Sequence, residues 1–214
     1  MAKIKMLLKN PKTRRNLIIA LTCCLLAALV GGSYVGRVLY IRSIGITLIP
    51  SQDYPLLDPP AYLQKDSAWG EDTLGDSRYT MSSSGCLVTC VAQSASYLGA
   101  PVTPGELNTM MAQVGGYQGD GDLIWYKINE AVPAVDYRYS RTFSAATLES
   151  DLSQGLTPII KVHYLGGLVQ HWVLVVGALD GQFMVLDPMN ADQEPIPLSD
   201  HGRVNAYRVL EKAV

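Results

Sequence analysis

The run from Leu17 to Val35 constrains this chain more than any other feature. Its 19 residues, LIIALTCCLLAALVGGSYV, are apolar, small or uncharged. At about 1.5 Å per residue, a helix of this length covers roughly 28 Å, close to the hydrocarbon thickness of a bilayer. Lys3, Lys5, Lys9, Lys12, Arg14 and Arg15 precede it, Arg37 and Arg42 follow it, and the first acid is Asp53. The positive-inside rule therefore puts the N-terminus in the cytoplasm and the rest of the chain outside. A cleaved signal peptide ending near Val30-Gly31-Gly32 is the rival reading. An uncleaved anchor fits better, because apolar residues continue past Gly32 and return between Val38 and Ile49. Cys23 and Cys24 lie too deep in the run, behind Thr22, to serve as a lipid anchor.

The expected organisation is a basic cytoplasmic tail (1–16), a transmembrane anchor (17–36), a stalk or extended lead-in (37–60) and one globular domain (61–214). From Ser43 to Pro60 the chain carries Pro50, Pro55, Pro59 and Pro60 and has no helical period. The location implied is a single-pass cell-membrane protein with an extracellular domain. Beyond residue 42, nine Lys/Arg face 19 acids, a net charge of −10. That does not suit a nucleic-acid binder. It points weakly to a basic or neutral substrate, and equally to a plain solvated surface. The four cysteines form no disulfide framework: Cys86 and Cys90 are four apart on one helix, where bridging geometry is poor. No spacing resembles a zinc site, and no cofactor is called for.

Within the globular part the hydrophobic period changes once. Leu87, Val88, Val91, Ala92, Ala95 and Leu98 recur at helical steps until Gly99 and Pro101, with Ser83 or Ser84 as the expected cap. Thr103-Pro104-Gly105-Glu106 is a helix start with cap, Pro and capping-box Glu, opening a helix to about Val114. The glycine-rich loop 115–121 lacks the Gly-Lys-Ser/Thr of a phosphate loop. Further helices are expected over Asp122–Val132 and Ser144–Gln154, with a strand at Val135–Ser140 between them. After Gly155 the pattern becomes strand-like at 157–164, 171–178, 182–186 and 204–210. Helices followed by consecutive strands mean an α+β domain with a largely antiparallel sheet.

Chemistry is expected at the start of the first of these helices. Cys86 follows Ser-Ser-Ser-Gly and lies in or just before the first helical turn. Unpaired N–H groups and the helix dipole there favour negative charge, and the thiolate is the nucleophile. Among His163, His171 and His201, the base could be His171, which opens an apolar strand, or His163; His201, in a polar loop, is the weakest. Asp187 ends the next strand. If Asp180-Gly181 were a two-residue turn, Asp187 would point to the face opposite His171. A three-residue turn ending at Gly181 pairs Val173 with Asp187 and brings the two onto one face, so that turn is expected. Gln64, upstream beside Trp69, is the candidate side-chain donor to an oxyanion, together with the backbone N–H of Cys86.

Gln64 and Trp69, Ser84-Gly85-Cys86-Leu87-Val88-Thr89, Tyr97-Leu98-Gly99, Thr103-Pro104-Gly105-Glu106-Leu107, His171-Trp172-Val173 and Asp187-Pro188 together resemble the C39-like cysteine peptidases of the papain-like superfamily. The resemblance runs over about residues 60–211. It implies a papain-like fold, N-terminal helices packed on a largely antiparallel sheet, with Cys86 and His171 as catalytic dyad. Asp187 becomes the orienting residue and Gln64 the oxyanion-hole residue, and His171 is selected over His163. The better-known members trim double-glycine leaders within large exporters that carry many spans and an ATPase; this chain has neither, and Cys90 stands where Ser or Ala is usual. The implied function is a membrane-anchored, extracytoplasmic thiol peptidase or amidase acting on a peptide or related amide. The alternative is a catalytically silent surface-binding module on the same frame.

Overall fold

The computed structural model describes residues 11–164 and 169–213; the expected tail residues 1–10 lie outside that range. The chain divides into two compact units, Met1–Tyr40 and Ile41–Val214. The first holds most of helix α1 (Pro11–Ile44), whose most apolar window is long and apolar enough to cross a membrane and has no buried residue.

The second unit is a six-stranded antiparallel sheet with helices. The sheet order is β1-β6-β2-β3-β4-β5, from β1 (Val135–Tyr139), β2 (Pro158–Tyr164), β3 (Val169–Leu179), β4 (Gln182–Leu186), β5 (Ile196–Pro197) and β6 (Val204–Lys212). Helices α2 (Met81–Ser84), α3 (Cys86–Tyr97), α4 (Pro104–Gln113) and α5 (Ile128–Ala131) come before β1, and α6 (Ala145–Ser153) comes before β2. Val88, Val91, Ala92 and Ala95 of α3 share one core with Leu107 and Met111 of α4 and with Ile159, Leu174, Val176 and Leu210 of the sheet. Ile160, Val162, Val173, Val175, Phe183, Val185 and Tyr207 point to the other face, where Leu148 and Leu152 of α6 cover them. The alternation of β3 between these cores is what a strand buried on both faces requires.

Local signals read from sequence recur with two changes. The Thr103–Glu106 capping box is formed in both directions, with Pro104 in the first turn. Neither Ser83 nor Ser84 caps α3: Gly85 is its N-cap without a side-chain bond, and the serines belong to α2, where Thr80 and Ser83 form the capping box. A Cβ on Gly85 would lie 2.5 Å from the Met81 carbonyl oxygen, so only glycine lets the two helical segments join this tightly. The helix expected over Asp122–Val132 is reduced to a 3-10 turn (Trp125–Lys127) and α5. Its first residues are instead held extended, with Leu123 bridged to Tyr117 and the Ile124 N–H donating to the Gly116 carbonyl.

The β3–β4 turn also differs from expectation. Asp180 and Gly181, both at positive φ (52° and 74°), form a two-residue loop pairing Leu179 with Gln182. The parity this would impose is reversed by a bulge: Val175 faces Val185, while Gly177 already faces Met184, leaving Val176 as the extra residue. Leu174 therefore pairs with Leu186, and the same register carried one step further sets Val173 opposite Asp187.

Residues 46–57, in the segment read as a stalk or lead-in, bend at Ser51–Gln52 and are strapped to this sheet. Ile46 bridges Val204, Tyr54 bridges Ala178, and the Leu57 N–H donates to the carbonyl of the bulged Val176 at 2.7 Å. A Cβ on Gly177 would meet Leu56 Cδ2 at 2.8 Å and the Pro55 carbonyl oxygen at 2.9 Å. Gly177→Ala should therefore lower stability by about 1–3 kcal/mol, as overpacking does. Urea unfolding of the full chain in detergent measures this; an unchanged midpoint would mean that the strap does not press on the bulge.

Candidate active site

Cys86 opens α3 directly after Gly85 and is half-buried, whereas Cys90, one turn on, is fully buried. Burial pushes the Cys90 thiol well above its ordinary pKa, with the nearby Cys86 and Asp187 charges adding to the effect. Cys90 is thus a packing residue in the α3 core.

His171 is 3% exposed. Its Nε2 lies 2.6 Å from Asp187 Oδ1, and it is also hydrogen-bonded to Cys86. With Nε2 engaged by Asp187, Nδ1 is the ring nitrogen left for the thiol. Burial works against charge on this imidazole, but the bonds to Asp187 and Cys86 outweigh it and push its pKa up to about 9. Burial works to raise the Asp187 pKa; the bond from His171 and its charge prevail and hold the carboxyl below the usual range. Asp187 Oδ1 also accepts the Met189 N–H at 2.7 Å.

Gln64 is 2% exposed and ties the two sides of the site together. Its backbone N–H donates to the Pro188 carbonyl at 3.0 Å, next to Asp187. Its side-chain Nε2 donates to the Ser82 carbonyl at 2.9 Å, just ahead of Cys86. That bond fixes the amide orientation and leaves a second N–H on the same nitrogen. Trp69 braces the segment by donating its indole N–H to the Leu63 carbonyl at 2.9 Å. Gln64, Ser82, Cys86, His171, Trp172 and Met189 line one cleft of about 540 Å³.

The structure thus brings Gln64, Cys86, His171 and Asp187 together. It separates His163, whose Nε2 accepts from Asn205 Nδ2 at 2.9 Å in a neighbouring basin. It also reveals a neighbour that sequence reasoning ranked last: His201 Nε2 approaches Asp187 Oδ2 at 3.5 Å, its side chain only 3% exposed. Burial lowers the His201 pKa, so it stays neutral beside the carboxylate. Nothing local signals this position, since His201 follows a short 3-10 turn in a polar loop. Among the described residues, no group of three or more His, Cys, Asp or Glu is arranged to hold a metal ion.

No family model matches the chain, and no curated protein matches it in sequence. Its backbone is similar to the crystal structure of a protein described as a candidate C39-like peptidase from Bacillus anthracis. The TM-score is 0.50 at 12% identity, over 76% of this chain and 99% of that one. The fold is papain-like. Within it a cysteine opens a helix that lies on an antiparallel sheet, with the histidine on β3 and the aspartate directly after the end of β4.

Proposed function

We propose that this chain is a membrane-anchored thiol peptidase or amidase, held by residues 17–36 with its papain-like domain outside the cytoplasm. The observation that carries the reading is His171, hydrogen-bonded to Cys86 on one side and to the Asp187 carboxylate on the other. His171, its pKa pushed up to about 9, already holds the proton given up by Cys86, and Cys86 Sγ attacks the acyl carbon. The oxyanion is stabilised by the Cys86 backbone N–H and the Gln64 amide. His171 then returns the proton to the leaving amine, and a water deprotonated by the same imidazole releases the acid from the thioester. Asp187 keeps the imidazole oriented throughout. An amine in place of water would make the same intermediate an acyl-transfer step.

Asp187→Asn tests the orienting role. Without the carboxylate, burial is opposed only by Cys86, and the His171 pKa drops from about 9. The expected loss of turnover is about 100-fold smaller than that on removing the nucleophile. The alkaline limb of kcat/KM should move to lower pH with it. An unmoved limb would remove Asp187 from the mechanism.

A further inference from the structure

Beside the catalytic cleft lies a second basin of about 620 Å³. Arg42, Arg141, Lys161 and Arg208 line it, and no Asp or Glu does. This reverses the net charge of the globular part. Among the described residues none of the four cations makes an ion pair. Two of them lie on aromatic faces instead: Lys161 over Trp172 at 5.6 Å, and Arg208 over Trp125 at 5.3 Å and Tyr139 at 5.0 Å. The strands set this grouping, with Tyr139 opposite Arg208, and Lys161 opposite Ala206 on one side and Trp172 on the other. Burial, with the like charge of Arg141, lowers the Arg208 pKa, an unfavourable crowding that a bound anion relieves.

Two groups in the basin's lining residues point to the kind of anion. Arg208 Nε, a donor, and Asn205 Oδ1, an acceptor, are buried without a hydrogen-bond partner. A carboxylate oxygen satisfies the first and a peptide N–H the second, a pairing that a phosphodiester, with acceptors alone, does not offer. Lys161, Gln170 and Trp172 line both this basin and the catalytic cleft, so the two are continuous.

We propose that this basin is a substrate subsite that binds acidic side chains of a peptide lying across the sheet toward Cys86. The inference deepens the peptidase reading and rests on it for the word substrate; the binding itself is tested separately. The protein is the full chain in detergent carrying Cys86→Ala. The probes are a capped alanine heptapeptide with two adjacent Glu and its Gln counterpart, followed by the fluorescence of Trp125 and Trp172. The Glu peptide should bind at least 10-fold more tightly, and the Glu-to-Gln ratio should fall to within about twofold in Arg141→Gln and in Lys161→Gln, both on the partly exposed rim. Equal binding of the two peptides overturns the proposal, as does a ratio unchanged in both variants. A response to inorganic phosphate or to anionic lipid vesicles without peptide discrimination also overturns it. In the chain that retains Cys86, the Glu peptide should slow iodoacetamide alkylation of Cys86; binding without protection would detach the basin from the substrate path. Failure of the peptidase reading shows elsewhere, as Cys86 alkylation indifferent to His171.

Discussion

Cys86→Ala should abolish cleavage of any peptide or amide that the chain turns over, by a factor of about 10⁶, while the fold persists. The size follows from chemistry: without the sulfur no acyl-enzyme forms, and the oxyanion donors and binding alone retain little rate. The fold should persist because Cys86 is only half-buried and the change removes a single heavy atom at the opening of α3. Cys90 cannot substitute. It is fully buried, and its thiol is held in the neutral form by that burial. A thiol-directed probe applied to the full chain in detergent should label Cys86 much faster than Cys90. Equal, slow labelling of both cysteines would sink the enzymatic reading and favour a silent binding module. Full activity in Cys86→Ala would sink it as well.

His171→Ala should cost nearly as much. The double variant with Cys86→Ala should be no worse than either single one, because residues that act as a unit lose their effect together. In kinetic terms the loss falls on kcat, since the imidazole moves protons and the cleft surface is otherwise retained. This variant also has a stability signature with a definite sign. The folded His171 pKa is raised to about 9. Its contribution to stability is therefore complete below the unfolded value of about 6.5 and is lost as pH rises through about 9. Asp187 has a lowered pKa, so its contribution is present above the unfolded value of about 3.9 and is lost as pH falls through its folded value. Wild-type stability should thus be greatest from about pH 4 to 6.5 and decline toward pH 9, with that alkaline decline missing in His171→Ala. Chemical unfolding across this range reads it directly. An alkaline decline that survives His171→Ala would assign it to another group, and near-UV circular dichroism separates lost chemistry from lost folding.

Much of the molecule was legible because it depends on neighbours along the chain. The Thr103–Glu106 capping box needs only four consecutive residues. The start of α3 at Cys86 follows from a helical repeat interrupted by Gly85. The β4 bounds follow from a short apolar run between turn residues, and match residue for residue. The failures share a different origin. Asp122–Ile124 has the apolar residues of a helix, but pairing with Gly116 and Tyr117 holds it extended. The short edge strand β5 carries too few residues to leave a period.

The site divides along the same line. Residue type and local context singled out Gln64, Cys86 and Asp187 and left His163 as a rival to His171, which the family resemblance selected; their arrangement depended on parity along β3. A three-residue turn was the local way to set His171 and Asp187 on one face. The protein reaches the same face through a two-residue turn and a bulge at Val176, secured by the remote segment at Tyr54–Leu57. Local chemistry thus determined the long apolar helix, the starts of α3 and α4 and the kinds of reactive group available. Tertiary structure decided the bulge, the bridging of Gln64 between Ser82 and Pro188, the approach of His201 to Asp187 and the basic aromatic basin. The physical reason is range: caps and periods are set by energies between residues a few positions apart. Strand parity and side-chain convergence are set by packing between segments that meet only when the chain is folded.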